Sequence, residues 1–200
     1  MRNEKDSLCP SHEATSDGQP KLSRRTFVKL GTMAAAAVVL PRAVFGAGES
    51  FSVAEKSLAF YNTHTGEKLK SVYWAEGQYV TASLHEINHI LRDPRNNEVH
   101  DIDTRLLDLL FSIRREIDTN QPFHVISGYR SADTNAFLRV HTTGVAENSL
   151  HLVGKAIDIR SPGKDLRSLQ RVAIALKGGG VGYYPKSDFV HVDTGRVRYW

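Results

Sequence analysis

A single cysteine in 200 residues leaves no partner for an intramolecular disulfide. That cysteine, Cys9, lies in an N-terminal leader, so the body of the chain has no thiolate to offer a metal or a substrate. Any metal site must therefore be built from histidine and carboxylate. Long apolar runs are also missing. The hydrophobic fraction is 40%, ordinary for a globular core, and nothing approaches the roughly eighteen consecutive apolar residues of a bilayer span. Nor is there an excess of one charge sign outside the leader. Seven of the 26 Lys/Arg and four of the 22 Asp/Glu precede residue 47, which leaves the remainder at 19 against 18. The overall charge of +4 is thus partly a property of the leader, and the balance argues against nucleic acid as a partner. There is no internal repeat, and the length allows one domain.

The leader has its own logic. Ser23 to Gly31 reads SRRTFVKLG, followed by the Ala-rich TMAAAAVVL and then Pro41. A basic start, a short apolar stretch and small residues near a cleavage point describe an export signal. The apolar stretch lacks an amphipathic stripe and ends in proline, which argues against an ordinary helix. The pair Arg24–Arg25, with Phe27 and Lys29 after it, resembles the twin-arginine signal, which exports already folded proteins. Residues 1–47 are therefore expected to be a twin-arginine signal peptide, cut near Gly46 to Gly48. The precursor's partner would be the twin-arginine export machinery, no transmembrane span would remain after cleavage, and the destination would be the periplasm or cell envelope.

The body alternates short β-prone runs with amphipathic helices. Ser57–Asn62 and Leu69–Trp74 flank the turn chemistry of His64-Thr-Gly-Glu67 and predict a hairpin. A helix is expected from about Tyr79 to Leu91, stopped by Asp93-Pro94. Asp101 and Asp103 open a second helix, striped by Ile102, Leu106, Leu109/Leu110, Ile113 and Ile117. Phe123–Ser127 reads as a strand, Ser131 as the N-cap of a helix towards His141, and Lys155–Arg160 as a strand. Asp165–Leu176 returns to helix and stops at the triple glycine 178–180. Val181–Tyr184 and Phe189–Asp193 close the chain as two strands. The fold class is α+β: a small mixed or antiparallel sheet flanked by helices in one domain. Residues 48–100 would form an N-terminal hairpin and helix integrated with a catalytic core over 101–200.

Two stretches could hold a metal. His85-Glu86-Ile87-Asn88-His89 matches H-E-x-x-H, the helical zinc pattern with two histidines one turn apart. Its context opposes that reading, because LRDPRNN breaks the helix at once and supplies no third ligand; an exposed polar face opposite Leu84, Ile87 and Leu91 is expected. The second stretch is Ser149 to Asp158, SLHLVGKAID. Along Lys155–Arg160, Ile157 and Ile159 point one way while Asp158 points the other. In FVHVD, Val190 and Val192 bury one face and His191 shares the other with Phe189 and Asp193. Neighbouring strands would then present Asp158 and His191 side by side, with His151 reaching back from a loop that Gly154 turns tightly. Two imidazoles and one carboxylate make a three-ligand set for one zinc ion, with a coordination position left open. Tyr183 is placed as a substrate contact at the cleft, and Ser149 as a hydrogen-bond partner of the substrate backbone or of its own loop; Tyr184 could share the role of Tyr183, and aromatic packing is expected of at least one of the two.

The pattern S-x-H-x-x-G-x-A-x-D, met by Ser149, His151, Gly154, Ala156 and Asp158, resembles the zinc D,D-carboxypeptidase/D,D-dipeptidase superfamily. SGYRS (Ser127–Ser131), GGVGYYP (Gly179–Pro185) and FVHVDTG (Phe189–Gly195) resemble a narrower group, the murein endopeptidase K-like proteins. The resemblance implies a zinc metallopeptidase that cuts the peptide cross-links of peptidoglycan, with stem peptides as substrate. It also implies a carboxylate base three residues before the last histidine, where Asp188 stands, with Asp193 as its competitor for that role or as a residue that orients a ligand. Arg130 takes the place of an arginine that stabilises developing charge or binds a substrate carboxylate. Two other functions fit the same residues: a D-alanyl carboxypeptidase or dipeptidase, and a non-catalytic zinc-containing module that binds cell wall.

Overall fold

The computed structural model describes residues 55–142 and 144–200; the expected signal peptide lies outside the described residues. Its elements run β1 (Glu55–Asn62), β2 (Lys68–Ala75), β3 (Gln78–Tyr79), α1 (Thr81–Ile90), α2 (Thr104–Glu116), β4 (Phe123–Ser127) and α3 (Ala132–His141). They continue through a 3-10 turn (Leu150–Val153) to β5 (Ala156–Arg160), α4 (Leu166–Leu176), β6 (Gly180–Tyr184), β7 (Phe189–Asp193) and β8 (Arg198–Tyr199). The class is α+β, as expected.

The sheet is larger than the sequence suggests. Eight strands form one sheet in the order β3-β2-β1-β4-β5-β7-β6-β8. The N-terminal hairpin joins it through β1, which runs parallel to β4 with Phe60 opposite Phe123. Alternation along a strand sets which face is buried, not which strand lies next to it, so this pairing is invisible in the pattern. The other parallel pair is β6 with β8. β3 and β8, of two residues each, are too short for any periodicity to mark.

One face of the central strands is core: Ile157, Ile159, Val190 and Val192 have no exposure. Helix α2 buries Leu106, Leu107, Leu110 and Ile113 and packs on β1 and α4, while α4 packs on β6 and β7. Each such side chain stabilises the fold by about 1.5–3 kcal/mol relative to leaving it in water. Asp103 caps α2 by accepting from the Arg105 N–H at 3.0 Å, and Asp165 caps α4 at Ser168. The opposite face is thereby left for polar work.

Asp93 does more than stop α1. It is fully buried, and its carboxylate accepts from the Ser131 N–H (2.9 Å), the Ser131 hydroxyl (2.7 Å) and the Arg95 N–H (3.0 Å). Burial alone would raise its pKa, but the Thr134 side chain and these donors hold the carboxyl below the usual carboxylate range. Asp93 thus pins the residue that caps α3, next to Arg130. Asp93→Ala should cost about 2–3 kcal/mol, because Ser131 keeps its burial and loses its acceptor; urea unfolding measures it.

Candidate metal centre

Four neighbouring strands contribute one row of residues on the face away from the core. Ser127 of β4 lies opposite Asp158 of β5, Asp158 opposite His191 of β7, and His191 opposite Gly182 of β6. His151 reaches this row from the 3-10 turn. Ser149 caps that turn, and Gly154 ends it in the left-handed conformation (φ 63°). The expected trio therefore meets. His151, Asp158 and His191 each offer a donor atom, and these atoms lie within 4.8 Å of one another. His191 Nδ1 is 2.8 Å from Asp158 Oδ1, and His151 Nε2 is 3.4 Å from the same oxygen.

The outer nitrogens decide whether a cation fits. His151 Nδ1 lies 2.7 Å from the Gly128 carbonyl, which can only accept, so that nitrogen carries the proton and Nε2 keeps a lone pair towards the trio. His191 Nε2 lies 3.1 Å from Asp193 Oδ2, which likewise frees Nδ1. Two imidazoles oriented from behind, plus one carboxylate, match the donor chemistry of a divalent ion bound through nitrogen and oxygen. The residues could hold a metal ion.

Asp193 contacts His191 from the side away from the trio. It is fully buried and also accepts from the Gly180 N–H (2.9 Å), the Gly195 N–H (2.8 Å) and the Arg198 guanidinium (2.7 Å). A Cβ at Gly180 would stand 2.5 Å from Asp193 Oδ2. The glycine run that the sequence marks as a helix stop thus also opens the space in which this carboxylate sits.

Without a metal, the charges in this pocket settle on protons. Burial opposes charge on His191, but the hydrogen bonds it donates to Asp158 and Asp193 prevail and push it up to about 9. Burial likewise opposes charge on Asp158, yet the two imidazoles hold it below the carboxylate range. The Nδ1 proton of His191 therefore competes with a cation below pH 9. Metal affinity is expected to rise about tenfold per pH unit towards pH 9, with about one proton released per ion at pH 7. Calorimetry in buffers of different ionisation enthalpy counts that proton. Stability of the metal-free protein has the opposite sign. A raised histidine contributes fully below its unfolded value of about 6.5, and the contribution is lost as pH rises through about 9.

The H-E-x-x-H motif behaves as the sequence context suggests. On α1, His85, Glu86 and His89 are exposed while Ile87 and Asn88 are buried. Asn88 bridges to Asp101 Oδ1 (2.8 Å) and to the Ile102 N–H (3.0 Å), and Glu86 accepts from the Ser71 hydroxyl. Among the described residues, the trio around His191 is the one His/carboxylate group that converges for a metal.

A cleft of about 490 Å³ opens over the trio, and Arg130, Ser149, Tyr184, Phe189, Arg198 and Trp200 help to line it. Arg130 is nearly buried, with Nη2 3.9 Å from Asp158 Oδ2 and 3.3 Å from Ser127 Oγ. Tyr183 is not in the cleft. It packs against the core, with Arg167 5.2 Å from its ring centroid. Tyr184 takes the place expected of Tyr183, because Gly182 pairs with His191 and residues two apart share a face. Counting by twos from the inward Val181 marks this position in the sequence itself. Asp188 adopts a left-handed backbone (φ 52°) between two cleft-lining neighbours, Ser187 and Phe189. Its carboxylate is 63% exposed and pairs with Arg160 at 2.8 Å. Sequence reasoning missed Trp200, which follows no periodic element, and the Gly128 carbonyl, since backbone acceptors leave no signature in residue types.

Residues 50–200 match the sequence model of the family described as peptidoglycan L,D-endopeptidase MepK. The chain is 39% identical over 178 residues to the peptidoglycan L,D-endopeptidase MepK of Escherichia coli (strain K12), covering 89% of this chain and 97% of that protein. The protein of the same description from Shigella flexneri gives the same values. The probable peptidoglycan L,D-endopeptidase MepK of Haemophilus influenzae is 39% identical over 179 residues, covering 89% and 95%. Because the matched residues 50–200 include every strand that bears the trio and the cleft above it, the chain belongs to the peptidoglycan L,D-endopeptidase MepK family of peptidases.

Proposed function

We propose that this chain is a zinc-dependent murein endopeptidase that hydrolyses peptide cross-links of peptidoglycan outside the cytoplasmic membrane. It is a hydrolytic peptidase by family, and the L,D specificity in the names of its relatives is the one assigned to it here. The observation that carries the reading is the convergence of His151, Asp158 and His191 at the floor of an open cleft.

Zinc held by these residues would supply Lewis acidity, polarising the scissile carbonyl and bringing the acidity of water to a pKa of about 7. The remaining work falls to the chain. Arg130, an always-protonated fork at the edge of the trio, meets the negative charge that develops on the carbonyl oxygen. A carboxylate must take a proton from the attacking water and return it to the leaving amine as the C–N bond breaks. Asp193 is poorly suited, since four donor groups hold it well below the carboxylate range against its own burial. Among the described residues, Asp188 pairs with Arg160 alone and lies between two cleft-lining residues, Ser187 and Phe189, so we assign it the base. Asp193 becomes the residue that orients His191. Ser149 and Tyr184 line the cleft as substrate contacts.

The family match begins at residue 50, which supports a boundary near residue 47 and a separate leader before it. The Arg24–Arg25 signature of that leader supports twin-arginine export to the periplasm or cell envelope. No helix among the described residues is long and apolar enough to cross a membrane. The test is incubation of the mature protein with cross-linked muropeptide dimers, with and without chelator. Cleavage that stops with chelator and returns with zinc is expected; intact dimers in the presence of zinc refute the activity.

A further inference from the structure

The row Ser127–Asp158–His191–Gly182 ends on a glycine, and the space above that glycine is filled from elsewhere. A Cβ at Gly182 would stand 2.7 Å from the indole of Trp200, so the ring lies directly over the strand where a side chain would otherwise be. Backbone bonds hold this arrangement: the Trp200 N–H donates to the Val181 carbonyl, and the Tyr183 N–H to the Trp200 carbonyl. The indole N–H donates to the Tyr184 hydroxyl at 2.7 Å, and Tyr184 stacks on Phe189 with centroids 4.6 Å apart. The indole centroid is 5.4 Å from that of His191. Yet Trp200 remains 49% exposed, although burying an aromatic ring is among the largest gains available to a fold.

The strand order gives the cleft a polarity. On the β4 side of the trio stands Arg130, with Arg95 also on the cleft wall. On the β6–β8 side stand Tyr184, Phe189 and Trp200. Among the described cleft-lining residues, the cation on that side is Arg198, which stacks on the indole at 5.0 Å and whose charge is engaged by Asp193. Among these residues, one flank is cationic and the other is an aromatic wall whose cation is neutralised by Asp193.

We infer that Trp200, seated over Gly182, is a specificity-determining substrate contact whose ring takes the methylene stem of the diamino residue at the scissile cross-link. The inference rests on the murein-endopeptidase reading. The chemistry selects the ligand: a peptide cross-link needs an amino acid with a second amine, and that amine sits on an unbranched aliphatic stem. An indole face beside the reacting bond fits such a stem, whereas the cationic flank suits free carboxylates of the same peptides.

Trp200→Ala should raise KM for a cross-linked dimer at least about tenfold, equivalent to about 1.4 kcal/mol, with kcat within about threefold and zinc content unchanged. Trp200→Phe should recover most of the loss. In metal-free protein, which does not turn over, adding the dimer should change wild-type tryptophan emission and leave that of Trp200→Phe unchanged. An unaltered KM in Trp200→Ala overturns the inference, as does loss of zinc in parallel with activity, which would mark a support for the Arg198–Asp193 pair. If wild-type protein with zinc leaves dimers intact, the activity reading fails by itself, and the emission titration still decides whether Trp200 meets the peptide.

Discussion

Replacing Asp158 with asparagine is expected to lower kcat/KM on a cross-linked muropeptide by at least about 10³-fold. Asparagine keeps the size, the strand position and the pairing with His191 across β7, so the fold has little reason to change. What disappears is the negative charge, and with it the one anionic donor of the trio. A neutral amide is a weak partner for a divalent ion, so metal content and activity should fall together. Elemental analysis of the purified variant separates this from a folding defect, and circular dichroism should match wild type. In the metal-free state the same substitution replaces the leading charged acceptor that keeps His191 protonated by a neutral one, so the His191 pKa should fall. A variant that retained both zinc and turnover would remove Asp158 from the site.

The second large effect separates two aspartates only five positions apart. Asp188→Asn is expected to lower kcat by about 10²-fold or more with zinc content unchanged, the signature of a lost proton acceptor. Asp193→Asn should act through the metal instead, weakening its binding by about 10–100-fold, as loss of a partner that orients a ligating histidine does. The environments predict the division. Asp193 is sealed behind His191 among backbone N–H groups and Arg198, whereas Asp188 is exposed and held by Arg160. Arg160→Ala should leave Asp188 freer to turn into the cleft and should not reproduce the loss. Reversal of the two variants' phenotypes would exchange the assigned roles.

The trio of His151, Asp158 and His191 was legible because two of its members obey the simplest periodicity. Ile157, Ile159, Val190 and Val192 declare which face is buried, and Asp158 and His191 follow on the other. The helices were legible for a similar reason: α2 carries an unbroken apolar stripe and a capping aspartate. The β1–β4 pairing, by contrast, joins residues about sixty positions apart with no local constraint between them. Asp93 read as a helix stop, since a sequence does not say that a carboxylate will be buried under the N–H groups of Ser131 and Arg95. Tyr183 and Tyr184 are one position apart along a strand, which is enough to send one to the core and the other to the cleft. Trp200 was out of reach of any pattern, as its position depends on an absent Cβ eighteen residues earlier.

The strands that carry Asp158 and His191 lie inside the sheet, with β5 paired to β4 and β7, and β7 paired to β5 and β6. Their main-chain hydrogen-bonding groups are already engaged, so an incoming peptide cannot extend the sheet beside Asp158 and His191, one of the recurring ways in which proteins read an extended peptide. Recognition has to come from side chains that project from the sheet face. For a branched substrate that mixes L and D centres this is no handicap, since such a chain cannot keep the regular two-residue alternation that β-augmentation demands.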